Sequence, residues 1–477
     1  MITQFRKIGL TVLSVILLLS AKAHSSEDIV GSWSGSLKAG VQEFPLIFHV
    51  KLEKGELTAT LDSPAQGAKN IPVSQVAYDD GNIRFEVSAA QAVYVGKYSA
   101  DSAKMEGVWK QGPNELPLVL TKSKTSQSQT AISRPQNPTK PYAYDEEFVA
   151  FKNHKAGIKL AGTLTLPTGA QRVPAVVMIT GSGPQDRDQT FMGHKTFWVL
   201  ADYLTQRGIA VLRFDDRGIG GSEGNFAQAT SLDFADDANA AVNFLLSHPR
   251  IDPNAIGLIG HSEGGLIAPI AASQNKNVNF IVSLAGPGLI GDDIAVQQIY
   301  DSLRFAGLSE ESARAGSQIT KSLNQTVLQN NSETELADSL QTTYQRVWAS
   351  LPESAQQDLV AIGGGTLSSA RVEQLSSPWT KYFLQHNPSD YLSKLTIPVL
   401  ALHGEKDTQL EASANLAVYE KLLKGKHPMN RIERFPSLNH LFQPAKTGLM
   451  TEYVSIETTF SPHVMDVIAR WVKRVNR

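Results

Sequence analysis

Cysteine is absent from all 477 residues. That excludes disulfides, thiolate metal centres, iron–sulfur clusters, a lipid-modified cysteine and every cysteine-nucleophile mechanism. An excess of one charge is also lacking, since 44 Lys and Arg against 46 Asp and Glu give a formal charge of −2. No basic stretch is interleaved with aromatics, so nothing calls for nucleic acid or an anionic membrane surface as a partner. Gly (36) and Pro (23) are near average, which excludes a collagenous or disordered chain. Long apolar runs are missing with one exception. Ile8 to Leu19 follows Arg6 and Lys7 and precedes Ala21-Lys22-Ala23, the layout of a cleavable secretory signal peptide. The run is shorter than the roughly 20 residues a membrane-spanning helix needs. The expectation is cleavage after Ala23, a periplasmic or secreted protein and no integral membrane segment thereafter; an uncleaved anchor is the alternative. Loss of three basic residues (Arg6, Lys7, Lys22) takes the charge from −2 to −5.

At this length two cores are expected. From residue 24 to 120 apolar residues alternate: Leu46, Phe48, Val50 and Leu52; Leu57, Ala59 and Leu61; Ile83, Phe85 and Val87. Turn clusters such as Glu53-Lys54-Gly55 and Asp79-Asp80-Gly81-Asn82 separate them. This predicts a small antiparallel β-barrel or sandwich. Residues 121–143 are rich in Ser, Thr, Gln, Lys and Pro, which predicts a linker. From 144 to 477 the pattern changes to strands alternating with helices. Buried runs fall at Ala175–Thr180, Ile209–Phe214, Ala255–Ile259 and Phe280–Leu284. Such an order predicts a mostly parallel sheet covered by helices on both faces, an α/β class. Between about 288 and 390 the rhythm turns helical, with a capping-box signature at Ser332-Glu333-Thr334-Glu335. That stretch is expected to be a lid. Strand–helix alternation resumes at Ile397–Leu402 and Ile432–Phe435 and ends in an amphipathic helix over Pro462–Val475.

Gly260-His261-Ser262-Glu263-Gly264 is a G-x-S-x-G pentapeptide placed between a buried strand and a helix. In that context the serine sits in a sharp turn, and the small flanking residues let strand and helix pass closely. The turn also sets the serine at a helix N-terminus, where developing negative charge is favoured. These residues resemble the α/β-hydrolase superfamily from about Tyr144 to the C-terminus. The resemblance implies a triad in the order Ser, acid, His: a serine hydroxyl needs an imidazole to take its proton and a carboxylate to orient that imidazole. Ser262 is the expected nucleophile. Asp407, after Leu400-Ala401-Leu402-His403-Gly404, is the expected acid, with Glu405 and Glu411 as rivals. His440, after the last strand, is the expected base. His403 is expected beside the acid, His261 is expected to point away from the nucleophile, and His427 and His463 are expected to be structural. The expected oxyanion donors are the backbone N–H groups of Glu263 and Ser182, with Gly181 as rival for the second.

Three stretches narrow the resemblance: Gly181 to Asp188 (GSGPQDRD), Asp216 to Ser222 (DRGIGGS) and Asn439 to Gln443 (NHLFQ) look like bacterial exported carboxylesterases. The Gly31-x-Trp33-x-Gly35 start and Gly107-Val108-Trp109 are similar to small β-barrel modules found ahead of some exported serine hydrolases. A packing or dimerisation role is weighed above substrate binding for that module, which leaves a homo-oligomer open. Asp186, Arg187 and Asp188 are weighed as loop-pinning charges ahead of substrate ligands. The lid is rich in aromatics, among them Tyr344, Trp348, Trp379 and Tyr382, read as core before pocket lining. The expectation is a serine carboxylesterase acting on a small-molecule ester, needing no cofactor or metal. The alternatives are a prolyl-oligopeptidase-like serine peptidase, for which the N-terminal module is too small to be a propeller, an acyltransferase or thioesterase, and a non-catalytic binding protein. Haloalkane dehalogenases and epoxide hydrolases are excluded because they need Asp where Ser262 stands.

Overall fold

A computed structural model describes residues 26–39, 42–63, 68–90, 92–111, 114–122, 133–169, 172–330 and 332–477. The expected signal segment and residues 123–132 of the expected linker lie outside the described residues.

The N-terminal region is one antiparallel sheet of nine strands among the described residues, running from Gly31–Ala39 to Asn114–Lys122. Two-residue turns set its register. Glu53 pairs with Glu56 across Lys54 and Gly55, and both turn residues have positive φ (54° and 89°). Asp79 pairs with Asn82 across Asp80 and Gly81 in the same way. Turns of this hand match the twist of the strands they join. The two outermost strands of the sheet order, Ala68–Val73 and Gln75–Asp79, are separated in sequence by Ser74 alone. The sheet therefore curls until its two ends meet, as a barrel. Alternating residues fill it: Trp33, Phe48, Phe85 and Tyr94 are fully buried, and Phe48 stacks on Phe85 at 4.6 Å. The predicted inward row Leu46, Phe48, Val50, Leu52 breaks at its end, where Leu52 is 37% exposed beside the hairpin tip.

The second region is an eight-stranded sheet. Its strands are β1 (Tyr144–Asn153), β2 (Ile158–Pro167), β3 (Val173–Ile179), β4 (Ala210–Phe214), β5 (Ile251–His261), β6 (Phe280–Leu284), β7 (Val399–Gly404) and β8 (Arg431–Phe435). They lie in the order β1-β2-β4-β3-β5-β6-β7-β8. The hairpin β1–β2 is antiparallel, and from β4 to β8 every pairing is parallel. The central strands read as unbroken apolar runs because both faces are covered. On one face pack α2 (Ser231–Leu246) and α3 (Glu263–Gln274), with the helix Ala412–Leu423; on the other lie α1 (Thr196–Thr205) and the C-terminal helix Pro462–Val475.

Between β6 and β7 the chain leaves the sheet as helices α4 (Gly291–Phe305), α5 (Glu310–Gln329), α6 (Glu333–Ala349), α7 (Glu353–Ala361), α8 (Ser369–Leu375), α9 (Pro378–Gln385) and α10 (Ser389–Leu392). This lid has its own small cores, one around Leu323, Leu340 and Leu384 and another around Val347 and Ala355. The expected capping box at α6 does not form. Ser332 makes no cap to the helix; its hydroxyl pairs with that of Thr334 and its N–H donates to Asn330 Oδ1.

Part of the expected linker is firmly seated. The Arg134 guanidinium donates to the backbone carbonyls of Met192, Gly193, Val454 and Ile456. The Gln136 side chain bonds the backbone of Thr459 and Phe460. Low apolar content suggested a tether, but polar side chains satisfying loop carbonyls dock it just as well. Among the described residues, no helix is long and apolar enough to cross a membrane.

Candidate active site

Parallel strands carry their following loops to one edge of the sheet, so β3, β5, β7 and β8 deliver four sequence-distant segments to the same place. At the end of β5 the chain makes the elbow. Ser262 has φ 54° and ψ −120°, a backbone a serine rarely adopts, and α3 begins at the next residue. The turn is possible only because the residues two before and two after the serine have no side chain. A Cβ on Gly260 would lie 1.9 Å from the Gly264 carbonyl oxygen, and one on Gly264 would lie 2.2 Å from the Ile179 carbonyl oxygen. The loop after β3 presses against the same elbow, since a Cβ on Gly181 would stand 3.0 Å from that of Ser262.

After β7, Asp407 lies buried in a turn, where Oδ1 accepts from the N–H groups of Gln409 and Leu410. Its Oδ2 accepts from His440 Nδ1 at 2.7 Å. Burial would push the Asp407 carboxyl up, but the His440 imidazole and the N–H donors hold it below its ordinary value. The rivals are otherwise engaged or exposed: Glu411 caps the helix Ala412–Leu423 through Ser413 N and Ala414 N, and Glu405 faces solvent. With Nδ1–H given to Asp407, Nε2 of His440 is left as the basic nitrogen.

His261 does more than point away. It is buried, its Nε2 donates to the His440 carbonyl at 2.9 Å, and its Nδ1 accepts from Gln189 Nε2 at 2.7 Å. Its ring lies 4.8 Å from that of His440. Burial lowers its pKa to about 3, so it is a neutral ring with one fixed tautomer. The structure thus joins Asp407 to His440, and His440 to the residue directly before Ser262. His403 sits beside the acid, Nδ1 4.0 Å from Asp407 Oδ2, with Nε2 donating to the Gly286 carbonyl. His427 and His463 lie apart, one accepting from Met429 N and the other edge-on to Phe435.

Glu263 opens α3, and Ser182 lies in the loop after β3. The charges of that loop are spent on pinning it. Arg187 pairs with Asp215, Asp188 with Lys195 and Arg213, and Asp186 accepts from Asp188 N and Thr190 N. Asp216 accepts from Thr180 Oγ1 at 2.6 Å and from Gln185 N at 2.9 Å. Burial, with Glu263 and Asp237 nearby, outweighs those bonds and pushes its carboxyl up to about 7. Sequence reasoning missed Gln189, Thr180 and Ser231, whose hydroxyl bonds the Glu263 carboxylate, and it left Trp379 as core, although its indole reaches that same carboxylate. A usable signal existed for Asp216 and Thr180 only in their ends-of-strand positions.

Residues 156–436 match the X-Pro dipeptidyl-peptidase (S15) family. This is more than half of the chain, and it holds Ser262 and Asp407 and stops four residues before His440. The chain belongs to the S15 family. As an S15 member it is a hydrolase with the α/β-hydrolase fold, preceded here by the all-β region. Esterase EstD of Thermotoga maritima is 26% identical over 317 residues, 66% of this chain and 65% of the relative. Thiohydrolase aneE of Aspergillus aculeatus is 38% identical over 131 residues, 27% of this chain and 38% of the relative. The chain thus spans less than two thirds of the length of both. Among solved structures, an esterase of Pyrococcus furiosus aligns with 69% of this S15 chain and 91% of its own, at 16% identity and a TM-score of 0.41.

Proposed function

We propose that this S15-family hydrolase is a serine carboxylesterase with the triad Ser262, His440 and Asp407, acting on small or medium esters. The observation that carries the reading is the 2.7 Å bond from His440 Nδ1 to Asp407 Oδ2, set beside the elbow of Ser262 at one edge of the sheet. Ser262 Oγ attacks the ester carbonyl carbon while its proton passes to His440 Nε2. The Asp407 carboxylate stabilises the resulting imidazolium. The backbone N–H groups of Glu263 and Ser182 take the oxyanion. Collapse expels the alcohol with the proton from His440, and water, deprotonated by His440, releases the acid from Ser262. Export through the apolar N-terminal segment belongs to the same proposal.

The family's own description favours a second reading, a peptidase that releases X-Pro dipeptides. A peptidase of that kind must hold a substrate ammonium near the scissile bond, which calls for an available carboxylate. The two acids flanking the elbow are already engaged: Glu263 accepts from Ser231 and Trp379, and Asp216 from Thr180 and Gln185. That, with the esterase relative, supports the ester. The test is hydrolysis of p-nitrophenyl acetate and butyrate against X-Pro p-nitroanilides by the chain lacking residues 1–23. Ester turnover that vanishes in Ser262→Ala is expected. Anilide turnover without ester turnover overturns the proposal in favour of the peptidase.

A further inference from the structure

The mechanism above uses only the backbone of Glu263 and leaves its side chain idle. Yet Glu263 is 3% exposed, and among the described residues no cation hydrogen-bonds its carboxylate. A buried, unpaired carboxylate is costly to keep unless donors surround it. Here hydrogen bonds come from two other parts of the chain. Ser231 Oγ, at the first residue of α2, donates at 2.6 Å. Trp379 Nε1, in lid helix α9, donates at 2.7 Å. The Ser182 side chain, in the loop after β3, also favours the charged form of the carboxyl, although burial outweighs it and raises the pKa. The Trp379 indole is held flat against Phe383, rings 4.9 Å apart and 9° from parallel, which aims its N–H. The lid has its own cores, so its fold does not depend on this bond. One carboxylate therefore ties together the residue after the nucleophile, the start of α2 and the lid.

We propose that Glu263 and Trp379 form a latch: the seated lid donates the indole N–H to Glu263, and the bonded carboxylate fixes the backbone N–H of Glu263 where the oxyanion requires it. Glu263 and Trp379 are positioning residues in this inference, which rests on the oxyanion assignment made above. Closing the lid then completes the site instead of merely covering it. Loss of one bond to a buried charge should cost turnover about tenfold or somewhat more, while substrate contacts are left as they were.

The test uses the full chain after leader removal, with Trp379→Phe, Glu263→Gln and the double variant. For p-nitrophenyl butyrate, Trp379→Phe is expected to hold KM within twofold, to melt only a few degrees below the parent and to lose about tenfold in kcat. Glu263→Gln should lose at least as much, and the double variant no more than Glu263→Gln alone, because both break one unit. An effect on KM alone, or losses that multiply, would mean Trp379 only lines the pocket and would overturn the latch. If Glu263→Gln fails to fold, Ser231→Ala takes its place in the cycle with the same expected non-additivity. The rate of Ser262 phosphorylation by diethyl p-nitrophenyl phosphate separates the two levels. No labelling of Ser262 in the parent chain would sink the serine-hydrolase reading itself. Labelling of the parent, with Trp379→Phe labelled equally fast, would sink only the latch.

Discussion

The two regions of this chain solve burial in opposite ways. Among the described residues of the barrel, the buried polar set is Ser63 alone, and the interior is aromatic and aliphatic. The hydrolase region buries Asp215, Asp216, Asp237, Glu263, Asp407, Arg213, Arg217 and the histidines 194, 261, 386, 403 and 440. Nearly all of these cluster at the loop edge of the sheet, and each needs partners drawn from elsewhere in the chain. A barrel core needs only volume and alternation; a reactive edge needs titratable groups held dry, and their stability depends on pH.

The sharpest way to probe the contrast is on the reactive side. Asp407→Asn keeps the shape but removes the charge facing His440, and ester turnover is expected to fall by about four powers of ten with little change in melting temperature. Full activity in that variant would hand the acid's role to another residue. On the barrel side, Phe48→Ala removes a fully buried ring stacked on Phe85. It should cost about 3–5 kcal/mol in the barrel's unfolding transition, measured by denaturant titration, with kcat and KM of the ester reaction unmoved. A fall in kcat would show that the barrel supports the site directly. The smallest effect per residue is in pH. Burial lowers His261 to about 3 and His194 and His386 to about 4, from an ordinary 6.5. Each stays neutral when folded and takes up a proton on unfolding below pH 6.5. Their stabilising contribution is therefore complete above pH 6.5 and is lost as the pH falls toward 4. The slope is at most about 1.4 kcal/mol per pH unit for each histidine. Asp216, raised to about 7, opposes it: its protonated form is favoured in the fold, so its contribution is lost as the pH rises toward 7. Calorimetry between pH 4 and 6.5 should show the hydrolase transition moving down in acid while the barrel's stays level. Substituting His194→Gln should flatten that slope; equal slopes for both transitions would break the comparison.

How much of this could be read in advance follows from the same contrast. The barrel's rows were visible because alternation is local, and the row failed only at Leu52, where a hairpin tip replaces core with solvent. The elbow and the position of Asp407 were visible because each follows a buried apolar run, and that of His440 because it follows the last short strand, whose Ile432 and Phe435 are separated by charges. The C-terminal helix, expected over about Pro462 to Val475, spans Pro462–Val475, its proline at the first turn and its apolar stripe being strong signals. The contacts of His261, Gln189, Trp379 and Arg134 were not legible. Trp379 meets Glu263 across 116 residues of sequence and Arg134 meets Ile456 across 322, and no periodicity encodes a meeting at that range. Ser332 shows the converse, a local motif that gives way to a competing local partner, Asn330.

The backbone of Ser262 carries one more consequence. Its φ of 54° suits a glycine, and holding a serine there stores about 1–3 kcal/mol. A chain selected only for heat resistance would surrender this residue early, since Ser262→Gly would relax the turn. The inert variant should then outlast its active parent in a thermal challenge, and the difference would measure how far durability is forgone to keep a hydroxyl in place.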